Sequence, residues 1–201
     1  MTDFVLASAS PARLTTLRRA GIEPRVIVSA VDEPATLAEA EGRYGELAPI
    51  DVPLLLARAK AQDVAPQAAD ALVLGCDSVL EFEGEALGKP ADAAQARTRW
   101  QRMRGHSGVL HTGHWLILGD AAVGATVSTR VHFAELDDEE IDFYVGTGEP
   151  LQVAGAFTID GIGGAFVSGI EGDHHNVIGV SLPALRDLTG QLGIPWITLL
   201  S

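Results

Sequence analysis

An apolar run that ends in a carboxylate occupies residues 71–78, Ala71-Leu72-Val73-Leu74-Gly75-Cys76-Asp77-Ser78. A run of this length and composition predicts a buried β-strand with Asp77 at its end. Open α/β sheets carry their chemistry outside the carboxyl ends of their strands, so Asp77 is our first candidate for a catalytic residue. Burial raises the pKa of a carboxyl group and nearby cations lower it, so the basic neighbours of Asp77 decide what it can do.

Strand and helix patterns alternate in the residues around this run, which predicts an α/β fold. We predict further strands at 4–7, 25–29, 109–118, 122–133 and 196–199, and helices at 11–20, 36–43, 52–64, 93–102 and 182–192. Polar and proline signals support the helix starts, as where Ser10 precedes Pro11 and where Asp137 precedes a further helix. No linker divides the 201 residues, so we predict a single domain over 1–201 with two lobes and a cleft.

The balance of charge is strongly acidic. The chain has 27 acidic residues against 14 lysines and arginines, a net charge of −13. Such a surface repels nucleic acid, because binding to nucleic acid depends on neutralising phosphates. A small polyanion is an acceptable ligand if the scarce cations are concentrated in one cleft. Arg13, Lys60 and Lys89 lie in separate segments and could supply those cations. A carboxylate base held among cations suggests hydrolysis of a phosphate-bearing substrate.

The sequence also indicates a cellular compartment. No stretch approaches the ~20 apolar residues that a membrane span requires. The N-terminus leads into a predicted strand without a basic segment ahead of it, and we infer no signal peptide. Cys76 is the only cysteine and cannot form an internal disulfide, which fits a reducing environment. We therefore expect a cytoplasmic protein with no membrane partner.

The segment Ser8-Ala9-Ser10-Pro11-Ala12-Arg13 joins a predicted strand to a predicted helix. Backbone N–H groups at a helix start favour an anion, and the hydroxyl groups of Ser8 and Ser10 could add donors. Arg13 could grip phosphate oxygens with two N–H groups. An equally good interpretation treats Ser10 as a helix cap alone and Arg13 as a solvated helix residue.

Three further segments carry charged candidates, each with an ordinary structural alternative. Asp32 and Glu33 could bind Mg²⁺ or a ribose hydroxyl, although adjacent acids before a proline are typical of a solvated turn. Lys60 lies on an alanine-rich helix, where a lysine is usually a surface residue. A glycine and a proline flank Lys89 and fix its backbone, yet a plain turn would use the same triplet.

Taken in order, these segments resemble those of the Maf family of nucleotide pyrophosphatases. Eight pieces across nearly the whole chain carry the resemblance: Leu6-Ala7-Ser8-Ala9-Ser10-Pro11-Ala12-Arg13, Val31-Asp32-Glu33, Ala59-Lys60-Ala61, Gly75-Cys76-Asp77-Ser78, Gly88-Lys89-Pro90, Thr112-Gly113, Ala154-Gly155-Ala156-Phe157 and Asn176-Val177-Ile178-Gly179. Each piece is modestly specific by itself. Their order and spacing together make the resemblance strong, because unrelated proteins rarely reproduce so many segments in sequence.

The resemblance implies an elongated α/β fold with a mixed central sheet, two lobes and a nucleotide cleft, similar to that of the inosine-triphosphatase group. It implies hydrolysis of the α–β phosphate bond of a nucleoside triphosphate, giving a monophosphate and pyrophosphate. It also implies a divalent cation such as Mg²⁺ or Mn²⁺ and, in many members, a homodimer. Asp77 matches the family's catalytic base, and the matching cleft positions are Ser8, Ser10, Arg13, Glu33, Lys60 and Lys89.

Three positions depart from the better-known branches of that family. This chain has Ala12 where those branches carry Arg or Trp, and Ser78 where they carry Thr or Gln. It has Asp160 where they carry Gln or Glu. These positions are linked to the choice of base in the family, so the resemblance implies a third branch with a different or broader nucleotide preference. Ala12 supplies neither a cation nor an aromatic wall, which predicts a roomier pocket.

The chemistry of the residues and the resemblance agree on one mechanistic hypothesis. Arg13, Lys60 and Lys89 bind the triphosphate and offset its charge, while Asp77 takes a proton from the attacking water. A Mg²⁺ or Mn²⁺ ion bridges phosphate oxygens, with Asp77 or Glu33 as its ligand. The sequence leaves open whether Asp77 is the base or a metal ligand. It also leaves open a second function, a nucleotide-sensing regulator of cell division and septum formation that acts through a protein partner.

Overall fold

The computed structural model describes residues 3–200. The strands of this region are β1 (Phe4–Ala7), β2 (Arg25–Val26), β3 (Leu72–Phe82), β4 (Glu85–Leu87), β5 (Ser107–Leu118), β6 (Ala121–Phe133) and β7 (Val167–Glu171). The helices are α1 (Pro11–Arg19), α2 (Glu33–Tyr44), α3 (Val52–Val64), α4 (Ala93–Met103), α5 (Asp138–Gly146), α6 (His174–Ile178) and α7 (Leu182–Gln191). Short 3₁₀ segments occur at Ala65–Gln67, Glu149–Gln152, Ala154–Ala156, Ile162–Phe166 and Trp196–Leu199. None of the helices in this range is long and apolar enough to cross a lipid bilayer.

One mixed sheet organises the described chain. Its strand order is β2-β1-β3-β5-β6-β7, and β4 pairs with β3 outside that path. β1 is parallel to β2 and to β3, whereas β4, β5, β6 and β7 pair antiparallel with their neighbours. The α/β fold with a mixed central sheet that the resemblance implied is therefore confirmed.

Two short strands share one edge of β3, and a gap separates them. β1 pairs with the first part of β3, up to the pair Ala7–Gly75, and β4 pairs with β3 only from Leu80 onward. β5 lies along the other edge of β3 over most of its length. Within the described chain, residues 76–79 therefore have no strand on one edge. Side chains from either face of β3 can border this opening.

Two glycines allow α3 to lie directly on the sheet. A Cβ atom at Gly75 would collide with the carbonyl oxygen of Ala57, and one at Gly113 would collide with that of Pro53. α3 turns its buried side toward these strands, and Lys60 lies on that side. The backbone of the helix and the backbone of the strands therefore come closer than any side chain at these two positions would permit.

The hydrophobic core divides along β3. Around the first half of β3, apolar side chains pack against α1 and α7 on one face and against α3 on the other. Around its second half, the neighbouring strands and helices α4 and α5 enclose an aromatic cluster. Trp100 makes edge-to-face contacts with Phe133, Tyr144 and Phe166 in that cluster. The open edge of β3 lies between these two parts of the core.

The predicted end of the central strand at Asp77 is wrong. β3 continues to Phe82, because the residues after Asp77 keep pairing with β5. It is β1 that ends here, at the residue paired with Gly75. Asp77 therefore lies inside a long strand and just beyond the carboxyl end of its parallel neighbour, which is still the position that open α/β sheets use for chemistry.

Other element bounds differ in smaller ways. The segment Trp196–Leu199 is a 3₁₀ helix rather than a strand, and Leu199 packs into the core. A short apolar run does not distinguish the two structures. The strand predicted at 25–29 has only two residues. α2 begins at Glu33 rather than at 36, and the short helix α6 was not predicted. The hairpin of β5 and β6 and the helices α1, α3, α4 and α7 are confirmed, with ends that differ by a residue or two.

Substitution of Gly75 by alanine tests the close packing of α3. We expect Gly75→Ala to lower the free energy of unfolding by about 1–3 kcal/mol, because the added methyl group pushes α3 away from the sheet. Gly42→Ala in α2 is the matched control, since a Cβ there meets no atom within 4 Å and alanine is favoured over glycine in helices. Urea denaturation measures both variants. A Gly75→Ala protein as stable as the wild type would contradict this packing.

Candidate active site

A cleft of about 1600 Å³ borders the open edge of β3. It is lined by all ten residues that the sequence predicted for the site: Ser8, Ser10, Ala12, Arg13, Glu33, Lys60, Asp77, Ser78, Lys89 and Asp160. These residues come from the turn between β1 and α1, from α2, α3 and β3, and from two loops that pack near the second half of the sheet. Segments far apart in the chain therefore meet around one opening.

Asp77 and Lys60 form a buried ion pair in this cleft. Lys60 Nζ donates to Asp77 Oδ1 at 2.6 Å, and only 11% and 12% of the lysine and aspartate side chains are exposed. Because Lys60 lies on the sheet-facing side of α3, its ammonium group meets β3 rather than solvent. The interpretation of Lys60 as a surface lysine is therefore wrong.

Burial raises the pKa of Asp77 above its ordinary value, and the charges of Lys60 and Arg13 oppose that rise. The nearby carboxylate of Glu33 adds to the upward shift. A carboxylate with a raised pKa is a better proton acceptor than a solvated one, provided that neighbouring cations favour its ionised form. Asp77 has both a pKa that burial raises and two neighbouring cations, Lys60 and Arg13.

Glu33 forms a second ion pair with Lys60. Lys60 Nζ lies 2.7 Å from Glu33 Oε1, so one ammonium group joins two carboxylates. Asp32 caps α2 by accepting a hydrogen bond from the amide of Ala35 at 3.0 Å. Glu33 is the first residue of that helix, where the helix dipole favours a negative charge. The two acids are therefore a helix cap and a cleft residue, and the interpretation as a solvated turn is wrong.

Three acceptors hold the guanidinium group of Arg13. Its Nε donates to the carbonyl oxygen of Gly179 at 2.8 Å, and its terminal nitrogens donate to Ser8 Oγ at 3.0 Å and Ser78 Oγ at 3.1 Å. Ser10 caps α1 by accepting from the Arg13 amide at 3.4 Å. Arg13 is thus a fixed cation rather than a solvated helix residue. Further N–H donors of the guanidinium group stay available for a ligand.

Ser78 belongs to a polar network on the face of β3 opposite to that of Asp77. Its Oγ lies 2.9 Å from Thr112 Oγ1, which donates to the carbonyl oxygen of Asn176 at 3.1 Å. The buried side-chain amide of Asn176 donates to neighbours on β5 and β6. These bonds fix the segment that ends at Gly179, the acceptor for Arg13. No role was assigned to Thr112 or Asn176 from the sequence. The only sign that they matter was that both lie in segments that resemble those of the Maf family.

Lys89 lines the cleft in the loop between β4 and α4. Its side chain is exposed and makes no hydrogen bond or ion pair with the residues between 3 and 200. The adjoining backbone is held, because the carbonyl oxygen of Gly88 accepts from Gly155 N at 3.1 Å and from Arg99 at 2.6 Å. Lys89 therefore combines a fixed backbone with an uncommitted ammonium group.

Ala12 and Asp160 occupy other parts of the cleft wall. Ala12 presents a methyl group from the first turn of α1. Asp160 is exposed, and its Oδ1 accepts a hydrogen bond from Thr158 Oγ1 at 2.6 Å. The cleft thus contains both residues, and their part in the choice of a base stays a prediction.

Glu33 and Asp77 are the carboxylates that suit a divalent cation. Both carboxylates contact Lys60 Nζ, at 2.7 Å and 2.6 Å respectively. Mg²⁺ is commonly held by one or two carboxylates together with substrate phosphates and water. Residues 3–200 contain no group of three or more His, Cys, Asp or Glu side chains that could hold a metal ion. The side chains therefore fit an ion shared with a phosphate-bearing ligand better than one held by the protein alone.

A family description and several curated relatives match this chain. The family described as Maf-like protein matches residues 3–192. The chain belongs to the Maf family. The expected resemblance is thus confirmed over nearly the whole length of the described structure.

Three Maf relatives show how close the similarity is. A Salinispora tropica protein is 56% identical over an alignment of 201 positions, which spans 96% of this chain and 84% of that protein. A Streptomyces avermitilis protein is 54% identical over 205 residues, or 96% and 95% of the two chains. A Streptomyces coelicolor protein is 54% identical over 194 residues, or 94% and 90%. Each of the three is named nucleoside triphosphate pyrophosphatase.

Replacement of Lys60 tests the electrostatic partner of Asp77. We expect Lys60→Met to raise the pKa of Asp77 further, because the nearest positive charge is lost while burial remains. Asp77 would then take up its proton at a higher pH than in the wild type. Lys60→Arg keeps the charge and serves as the control. Carbon-detected NMR titration of the Asp77 carboxyl group measures all three proteins, and an unchanged or lower pKa in Lys60→Met would refute the pairing.

Proposed function

We propose that this chain hydrolyses a nucleoside triphosphate at the α–β phosphate bond and releases a nucleoside monophosphate and pyrophosphate. The main support is the ion pair of Asp77 and Lys60 in a cleft that Arg13 and Lys89 also line. The cations suit a polyphosphate, and the buried carboxylate suits a hydrolytic base. The names of the three Maf relatives support the same chemistry.

The three cations have different parts in the proposed reaction. Arg13 is held rigidly, so its free N–H donors can bind phosphate oxygens in a fixed geometry. Lys89 is uncommitted and can follow the negative charge as it moves onto the leaving pyrophosphate. Lys60 is already bonded to two carboxylates, so it acts on the triphosphate mainly through its effect on Asp77.

Asp77 is the proposed general base. Its carboxylate takes a proton from a water molecule as the water oxygen attacks the α-phosphorus atom. The bond between the α-phosphorus and the bridging oxygen breaks, and pyrophosphate leaves with the bonding electron pair. The raised pKa of Asp77 favours proton transfer, and Lys60 keeps the carboxylate oriented toward the cleft.

We also propose Mg²⁺ or Mn²⁺ as the cofactor, with Asp77 or Glu33 as its protein ligand. Such an ion supplies charge neutralisation to the phosphate oxygens when it is bound. Lys60 Nζ lies 2.7 Å from Glu33 Oε1 and 2.6 Å from Asp77 Oδ1, so both candidate ligands border the same part of the cleft.

The proposed nucleotide preference differs from that of the better-known Maf branches. Ala12 leaves room in the cleft, and the carboxylate of Asp160 accepts hydrogen bonds but donates none when ionised. The hydroxyl of Ser78 is already engaged with Arg13 and Thr112, so its contribution is to hold Arg13. A different or broader preference would suit an enzyme that clears noncanonical nucleotides.

We further propose a homodimer that works in the cytoplasm without a nucleic-acid or membrane partner. The net charge of −13 opposes nucleic-acid binding, and the single buried cysteine suits a reducing compartment. The dimer rests on the family resemblance. A nucleotide-sensing regulator of cell division is not favoured, because the cleft holds a carboxylate base beside cations and the relatives carry the name of an enzyme.

Asp77→Asn tests the base and the proposed function together. The substitution keeps the size of the side chain and removes its proton acceptor, so we expect turnover to fall by about a hundredfold or more while nucleotide binding survives. Asp187→Asn, at an exposed position on α7, is the control. The assays are pyrophosphate release with Mg²⁺ from standard and modified nucleoside triphosphates, and calorimetry for binding.

Two results would count against this proposal. Near-normal turnover by Asp77→Asn would remove Asp77 from the chemistry. Nucleotide binding by the wild type without pyrophosphate release from any member of the panel would favour the regulator.

Lys89→Ala tests the uncommitted cation. We expect KM to rise and kcat to fall, with kcat/KM lower by about tenfold or more, because a charged contact to the triphosphate is lost. Arg19→Ala, which removes an exposed charge at the end of α1, is the control. Steady-state kinetics with the fastest substrate of the panel measures both variants. An unchanged kcat/KM in Lys89→Ala would show that this lysine is only part of a turn.

A further inference from the structure

Two consecutive residues of α4 donate side-chain hydrogen bonds to backbone carbonyl groups of loops at the cleft. A terminal nitrogen of Arg99 donates to the carbonyl oxygen of Gly88 at 2.6 Å. Trp100 Nε1 donates to the carbonyl oxygen of Ala156 at 2.7 Å. One helix turn thus anchors both the loop that carries the cleft lysine and the loop that leads to Phe157, another cleft residue.

The two loops are also joined to each other. Gly155 N donates to the same Gly88 oxygen at 3.1 Å. Gly155 and Ala156 both have left-handed backbone angles, with φ of 68° and 61°. A left-handed conformation is unfavourable for alanine, so the surrounding contacts have to hold it. The loop 154–157 is therefore a fixed support against which the segment around Gly88 is tied.

Arg99 differs from the other arginines in and beside α4. Arg97, Arg102 and Arg104 each form ion pairs with carboxylates at the surface. Arg99 is partly buried, makes no ion pair with the described residues and gives its hydrogen bond to a carbonyl oxygen. Burial lowers the pKa of this guanidinium group, although it stays charged at neutral pH. Arg99 therefore has a specific backbone partner, the carbonyl group of Gly88, instead of a carboxylate at the surface.

The contact with Gly88 bears directly on Lys89. The carbonyl group of Gly88 and the amide nitrogen of Lys89 belong to one planar peptide unit. Two donors on the carbonyl oxygen fix the orientation of that plane and hence the position from which the lysine side chain starts, and the proline after Lys89 restricts the backbone angles of the lysine. The ammonium group is carried on a flexible stem and has no protein partner among residues 3–200, so the backbone is what places it.

We propose that Arg99 is a positioning residue for Lys89. By holding the peptide between Gly88 and Lys89, Arg99 directs the lysine ammonium group toward the polyphosphate. Arg99 does not line the described cleft and acts through the Gly88 carbonyl. The inference rests on the proposed function for the identity of the polyphosphate ligand.

A double-mutant cycle tests this coupling. We compare Arg99→Gln in the wild-type background with Arg99→Gln in the Lys89→Ala background. The measurements are kcat and KM for the fastest nucleoside triphosphate, and calorimetric binding of inorganic tripolyphosphate. The second measurement needs no hydrolysis, so it separates failure of this inference from failure of the proposed function.

With Lys89 present, we expect Arg99→Gln to lower kcat/KM and tripolyphosphate affinity by about tenfold. With alanine at position 89, the same substitution should change either quantity by less than about twofold. Arg99→Lys keeps a charged donor and should recover most of the loss. Arg97→Gln removes a charge from the same helix and is the matched control, with an expected change below about twofold.

Three outcomes would overturn the role of Arg99. They are an equal effect of Arg99→Gln in both backgrounds, no effect with Lys89 present, or an equal effect of Arg97→Gln. Thermal denaturation verifies that each variant is folded. If Arg99→Gln does not fold, Arg99→Met takes its place with the same expectations. Coupling in the tripolyphosphate assay without any nucleotide hydrolysis would support the role of Arg99 and overturn the proposed function.

Discussion

The contact between Lys60 and Asp77 is the interaction on which the site depends. A carboxylate as buried as Asp77 is destabilising unless an opposite charge accompanies it, and Lys60 supplies that charge at 2.6 Å. The lysine reaches it because Gly75 and Gly113 allow α3 to lie against the strands. The strand that buries Asp77 also has an open edge, since β1 ends before this point and β4 begins after it. The same residue is therefore buried by the fold and reachable from the cleft.

The other charged groups of the cleft are held by different parts of the structure. Arg13 depends on the segment that ends at Gly179, which Asn176 ties to the sheet. Lys89 depends on the loop that Arg99 ties to α4. Helices α1 and α3 thus pack on the first half of the core, whereas Asn176 and the loop of Lys89 are tied to strands and helices of the second half. In the proposed reaction, the nucleotide would be bound between groups that belong to both halves.

The sequence could predict a structural feature when the residues that determine it are neighbours in the chain, and not when they are far apart. Asp77 could be identified because it is a carboxylate at the end of an apolar run, but its place within the strand depended on pairing with a distant strand. Lys60 lies in the buried stripe of an alanine-rich helix, and small residues on all sides hid which face was buried. Asn176 and Arg99 act through hydrogen bonds to remote segments, which no local pattern encodes. The segment Trp196–Leu199 had the composition of a strand but pairs with none of the strands between residues 3 and 200.

The most direct measurement sets the pH dependence of kcat/KM for the wild-type protein beside the NMR titration of Asp77 in the same protein. The acid limb of kcat/KM reports the ionisation of an essential base in the free enzyme. Because burial raises the pKa of Asp77, activity should be complete above that pKa and be lost as the pH falls through it. The predicted result is that the kinetic and NMR midpoints coincide. A kcat/KM that stays constant while Asp77 becomes protonated would contradict the role of the buried carboxylate.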